Sequence, residues 1–121
     1  MGLSAGSDLR PTIENARSIH FVGICGTAMA SVAAALKERG IAVSGSDQGI
    51  YPPMSTFLEE RGIEARPFDE ANLTHKPDLV VIGNAISRGN PEAEFALEQK
   101  LDYCSLPELL KHKFLRGKRS L

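Results

Sequence analysis

Residues 18–39 run from an apolar segment, Ser-Ile-His-Phe-Val, through Gly-Ile-Cys-Gly-Thr-Ala-Met and straight into an apolar helical stretch. That order, strand then glycine turn then helix, leaves few folds open, because a strand feeding a helix this abruptly belongs to a parallel sheet covered by helices. It also carries chemistry. A helix start presents unpaired backbone NH groups and the positive end of the helix dipole, and a phosphate satisfies both. The turn is therefore read as a phosphate cradle, with Gly23 and Gly26 allowing close backbone approach. The helix expected over 28–39 has no acid before Glu38 to occupy its positive end.

The rest of the chain repeats the pattern. Strand-like runs at 18–22, 41–46, 79–82 and 102–105, with a short one near 63–66, alternate with helical stretches. The expectation is a Rossmann-like, doubly wound α/β domain with a mainly parallel sheet of about five strands. In the first helix Met29, Val32, Ala33 and Leu36 share one stripe, and Gly40 stands where a left-handed cap would end it. A second helix is expected over 55–61, with Ser55 as N-cap and Gly62 as terminator, behind a stiff Tyr51-Pro52-Pro53 loop. Asn90 followed by Pro91 reads as an N-cap with Pro at the first helical position, and Glu92 and Glu94 fill that helix's positive end.

Asp47 ends the second strand some twenty residues after the glycine turn, where dinucleotide folds keep an acid for ribose hydroxyls. The positions of G-x-G-x-x-G are here Gly23, Cys25 and Ala28. A side chain at the second position holds a pyrophosphate away from the backbone, so an ordinary NAD site is disfavoured. The loop over 83–90 opens at the same sheet edge, and Asn84 and Ser87 offer hydrogen bonds to whatever the cradle holds. Arg88 either reaches a phosphate or is merely solvated.

Composition excludes several classes. At 121 residues, with 42% hydrophobic and 24% charged, the chain builds one ordinary core, and a net charge of -1 gives no field to draw nucleic acid or an anionic membrane. No run approaches the ~20 apolar residues of a membrane helix, and no signal peptide is visible. Two cysteines, Cys25 and Cys104, fit a reducing compartment, and the cytoplasm is expected. His20, His75 and His112 lack metal-ligand spacing and read as ordinary histidines, so no metal is expected. Cys25, without a histidine or a resolving cysteine nearby, reads as a packing residue. Residues 1–17 read as a flexible lead, 18–114 as the domain, and the basic stretch 115–121 as the start of a linker.

Gly-Ile-Cys-Gly-Thr-Ala-Met at 23–29, Ser-Gly-Ser-Asp at 44–47, Tyr-Pro-Pro-Met-Ser at 51–55 and Gly-Asn-Ala-Ile-Ser-Arg-Gly-Asn-Pro-Glu at 83–92 together resemble the Mur ligases. The resemblance spans about residues 18–121. It implies a first domain that binds UDP-N-acetylmuramate, with ATP and Mg2+ used by a central domain beyond this chain and the incoming amino acid or peptide held by a third. The implied reaction is amide formation through an acyl phosphate, joining the murein tripeptide L-Ala-γ-D-Glu-meso-diaminopimelate to the sugar nucleotide in cell-wall peptide recycling. Addition of L-alanine to the same nucleotide is the near alternative, and a free-standing NAD-binding regulatory module the distant one. By the resemblance Gly23, Ile24, Cys25, Gly26, Thr27, Ala28 and Met29 cradle the diphosphate. Ser46 and Asp47 face the uridine end, and Asn84, Ala85, Ile86 and Ser87 close the other side. No residue of the chain is implied as catalytic, and this piece alone is expected to be inactive.

Overall fold

The computed structural model describes residues 13, 15–83, 86 and 89–113, with the side chains of 112 and 113 excepted. Five strands are present: β1 (Ser18–Val22), β2 (Ala42–Ser46), β3 (Ala65–Arg66), β4 (Leu79–Ile82) and β5 (Tyr103–Ser105). Between them lie α1 (Thr27–Glu38), α2 (Met54–Glu60), a 3-10 turn (Glu70–Leu73), α3 (Pro91–Glu98) and, after β5, α4 (Leu106–Lys113). The sheet order is β3-β2-β1-β4-β5 and every pairing is parallel. This is the doubly wound α/β architecture expected from the alternation of elements.

Alternation along the strands sorts the two cores. Ile19 and Phe21 of β1, with Leu79 and Val81 of β4, meet Ala30, Ala33 and Leu36 of α1, Leu58 of α2 and Leu109 of α4 on one face. Val22 and Val80 meet Leu73 and Ala96 on the other, beneath the 3-10 turn and α3. His20 shares that second face by its register, opposite Ser44 of β2 and Val80 of β4. Ile13 and Ala16 are buried in the first core, and the amide of Arg17 donates to Asp78 at 2.9 Å. The described end of the lead over 1–17 is therefore packed against the domain, in contrast to a lead flexible throughout.

One local expectation changes and another holds. α2 begins at Met54, with Pro53 at its N-cap and no side-chain cap, so Ser55 lies inside the helix. The reason is local: Pro53 already has helical φ and ψ (-86°, -12°), which starts the turn early. The cap of α3 is as expected, with Asn90 Oδ1 accepting from the amides of Glu92 (2.9 Å) and Ala93 (3.2 Å) and Pro91 in the first turn.

Candidate functional site

The strand order reverses between β1 and β4, so the loops leaving their carboxyl ends form the crevice where α/β sheets take ligands. The two loops meet. The amide of Gly83 donates to the carbonyl of Val22 (3.1 Å), and the Ile86 side chain lies 3.4 Å from where a Cβ on Gly23 would stand. Asn84, Ala85, Ser87 and Arg88 lie outside the described residues.

Following each amide of the glycine turn narrows the cradle. Gly23 and Ile24 both donate to the carbonyl of Ser46 (2.8 and 2.9 Å), Cys25 to Asp47 Oδ2 (3.0 Å) and Gly26 to the carbonyl of Gly23 (3.2 Å). These four are thus engaged within the protein. The amides of Thr27, Ala28 and Met29 have no acceptor among the described residues, α1 has no acid in its first turn, and Gly26 caps it without a side-chain bond. Among the described residues, the turn's unpaired amides thus lie in the first turn of α1.

Asp47 is occupied as well. Its Oδ2 holds the Cys25 amide, and its Oδ1 accepts from Gln48 (2.7 Å) and Gly49 (3.1 Å). The carboxylate thereby ties the end of β2 to the glycine turn. Ser46 is fully buried, and its hydroxyl donates to Glu92 Oε1 at 2.6 Å. Its side chain is thus committed to the protein interior.

Glu92 stands in the first turn of α3, as expected, but does more than sequence reasoning assigned to it. Its carboxylate turns into the sheet and is wholly buried. Oε1 accepts from His20 Nε2 (2.8 Å) and Ser46 Oγ, and Oε2 from Asn72 Nδ2 (2.7 Å) and the amide of Asp69 (3.0 Å). A carboxylate only accepts, so His20 carries a proton on Nε2, and its Nδ1 lies within hydrogen-bond distance of Ser44 Oγ at 2.8 Å. Burial pushes the Glu92 carboxyl up, but the bonds from His20, Ser46, Asn72 and the Asp69 amide outweigh it and hold the group below its ordinary range. His20, read as an ordinary histidine, is thus a member of a buried network. His75 stands edge-on to it, ring centroids 6.5 Å apart. The side chain of His112 lies outside the described residues.

Neither thiol is primed for chemistry. Burial and the Asp47 carboxylate raise the Cys25 thiol, and burial with Glu108 pushes Cys104 up to about 12. No group of three or more His, Cys, Asp or Glu among the described residues is placed to hold a metal. No described helix is long and apolar enough to cross a membrane.

The two turn glycines differ. Gly23 has φ +94°, so Gly23→Ala is expected to cost about 1–2 kcal/mol of stability. Gly26 has φ -67°, and a Cβ there would meet its nearest neighbour at an ordinary 3.6 Å, so Gly26→Ala should stay within about 0.5 kcal/mol of the parent. Urea titrations of the two variants check this ordering.

Fold and switch-point topology define a Rossmann-like α/β domain, with three helix-start amides at the crevice that have no acceptor among the described residues. Residues 18–117 match the family described as "Mur ligase family, catalytic domain", and the chain belongs to that family. It is 52% identical over 103 residues to the UDP-N-acetylmuramate--L-alanyl-gamma-D-glutamyl-meso-2,6-diaminoheptandioate ligase of Haemophilus influenzae, covering 84% of this chain and 23% of that protein. The crystal structure of a murein peptide ligase from Psychrobacter arcticus superposes with a TM-score of 0.78 at 44% identity, over 83% of this chain and 21% of that one. The UDP-N-acetylmuramate--L-alanine ligase of Lactobacillus gasseri is 37% identical over 97 residues, 79% of this chain and 22% of that protein. The chain thus spans under a quarter of the length of the curated relatives it matches.

Proposed function

We propose that this chain is the UDP-N-acetylmuramate-binding domain of an ATP-dependent ligase that joins L-Ala-γ-D-Glu-meso-diaminopimelate to the nucleotide's muramoyl carboxylate in cell-wall peptide recycling. The observation that carries the reading is the set of three amides at Thr27, Ala28 and Met29, without acceptors among the described residues and without an acid beside them, at the switch point of the sheet. A diphosphate fits there, with residues 23–29 beneath it and residues 84–87 of the second loop on its other side. Asp47 and Ser46 serve by holding the turn. Identity of 52% to a ligase named for the tripeptide, against 37% to one named for L-alanine, favours the tripeptide.

The domain's task is positioning. Fixing the sugar nucleotide sets its carboxylate against the other reactants, which removes part of the entropic barrier. The glycine turn 23–29 has no lysine to pair a transferring phosphate. ATP and Mg2+ are therefore assigned to a separate domain of the full-length enzyme, joined through the linker that starts at 115. The cytoplasm, where such a nucleotide and ATP are available, is the proposed location.

Calorimetric titration tests this. UDP-N-acetylmuramate is expected to bind saturably, with UDP competing and NAD giving no heat of binding. Gly26→Ala is expected to weaken that binding about tenfold at unchanged stability, since its methyl stands where the diphosphate must approach the backbone. Binding of NAD with no response to uridine ligands would replace the proposal with a dinucleotide module.

A further inference from the structure

The glycine turn and the start of α3 are joined by one residue pair, Ser46 and Glu92. The Ser46 carbonyl accepts the amides of Gly23 and Ile24, which sets the height of the glycine turn over β2. Its hydroxyl donates to Glu92 Oε1, in the first turn of α3, directly after the second loop. The amide of Gly83, at the end of β4, donates to the carbonyl of Val22. The glycine turn and the start of α3 therefore share an anchor: the main chain of Ser46 holds one, and its side chain holds the other. Glu92 is itself fixed by His20 from β1 and by Asn72 and the Asp69 amide from the 3-10 segment. Glu92 cannot turn away without stranding buried donors.

From this geometry we infer that Glu92 is a positioning residue of the nucleotide site, acting through Ser46 to hold the glycine turn at one spacing from the start of α3. It touches no ligand. The inference deepens the proposed function and rests on it for the identity of the ligand. The coupling itself is a property of the ligand-free chain.

Ser46→Ala is the discriminating variant, because it removes the shared hydroxyl and leaves Glu92 three of its four partners. Glu92→Gln is the companion: an amide still accepts from Asn72 and Asp69 while its NH2 faces Ser46. Amide hydrogen exchange by NMR is measured first, without ligand. Gly23 and Ile24 are expected to exchange about tenfold faster in Ser46→Ala, the factor worth one hydrogen bond to a charged group, while Val81 in the sheet keeps its protection. A merely structural role would speed all three alike, and that result, or unchanged exchange at Gly23 and Ile24, overturns the inference. Calorimetry with UDP-N-acetylmuramate follows, with an expected affinity loss of about tenfold in Ser46→Ala, a smaller one in Glu92→Gln, and a double variant no weaker than the worse single one. Parent binding with undiminished affinity in Ser46→Ala would refute the positioning role and leave the proposed function standing. If the parent itself does not bind, the proposed function falls and amide exchange alone decides the coupling.

Discussion

A Gly45→Ala chain is expected to be about 3 kcal/mol less stable than its parent, the upper end of what overpacking a core costs. Gly45 lies inside β2, paired with Phe21 and Ala65 of its neighbours. A Cβ placed there would collide with Ile24 Cδ1 and stand 2.6 Å from Ile24 Cβ and 2.9 Å from Ile24 Cγ1. A new rotamer could move Cδ1 and Cγ1 aside. The contact with Ile24 Cβ is independent of rotamer, because that atom is fixed to the main chain of the glycine turn. Relief therefore requires the turn to shift, and the turn is held one residue away by the Ser46 carbonyl. The loss should appear as a fall in melting temperature of about 10 °C for a domain of this size. Truncating Ile24 to alanine in the same chain should restore only part of it, since the Cβ contact survives. A melting temperature within about 2 °C of the parent would show that the turn yields freely and that the close approach is not a constraint.

That glycine shows where the sequence is legible and where it is not. The fold could be read because each strand announces itself locally: the apolar run at 79–82, the glycine turn after Val22 and the Asn90-Pro91 cap need no partner to be recognised. The crevice followed from the same signals, since loops after adjacent parallel strands open at one edge. Gly45 was quoted as part of Ser-Gly-Ser-Asp, but its reason is a side chain that arrives from another segment. The Glu92 network had a partial signature. His20, Ser44 and Ser46 recur at alternate positions of strands expected to be covered on both faces, which marks a buried polar row. Its acceptor comes 72 residues after His20 on a different helix, a distance no local period reveals. Asp47 illustrates a third case: its place after β2 points to a ribose contact, whereas its carboxylate accepts from backbone amides of the turn.

Glu92→Ala should be the most damaging single change on the second face of the sheet, and its cost should depend on pH in a stated direction. Removing the carboxylate deprives four donors of their acceptor. Asn72 and the Asp69 amide lie toward solvent and can turn to water, whereas His20 and Ser46 are buried and cannot. Buried donors left with only the long 3.4 Å contact between His20 Nε2 and Ser46 Oγ, together with the vacated space, predict a loss of about 3 kcal/mol at pH 7. In the parent chain the folded-state carboxyl is held below its ordinary range, so protons bind it more readily when unfolded. Its stabilisation is then complete above the unfolded value of about 4.3 and is lost as pH falls through the lower folded value. The parent should accordingly weaken on acidification below about pH 4 by an amount that Glu92→Ala does not share, and the gap between the two chains should narrow. Urea titrations of both chains at pH 7 and at pH 3 measure the gap directly. A gap of equal size at both would mean that protonating Glu92 leaves the network intact, with the bonds held by shape and not by charge.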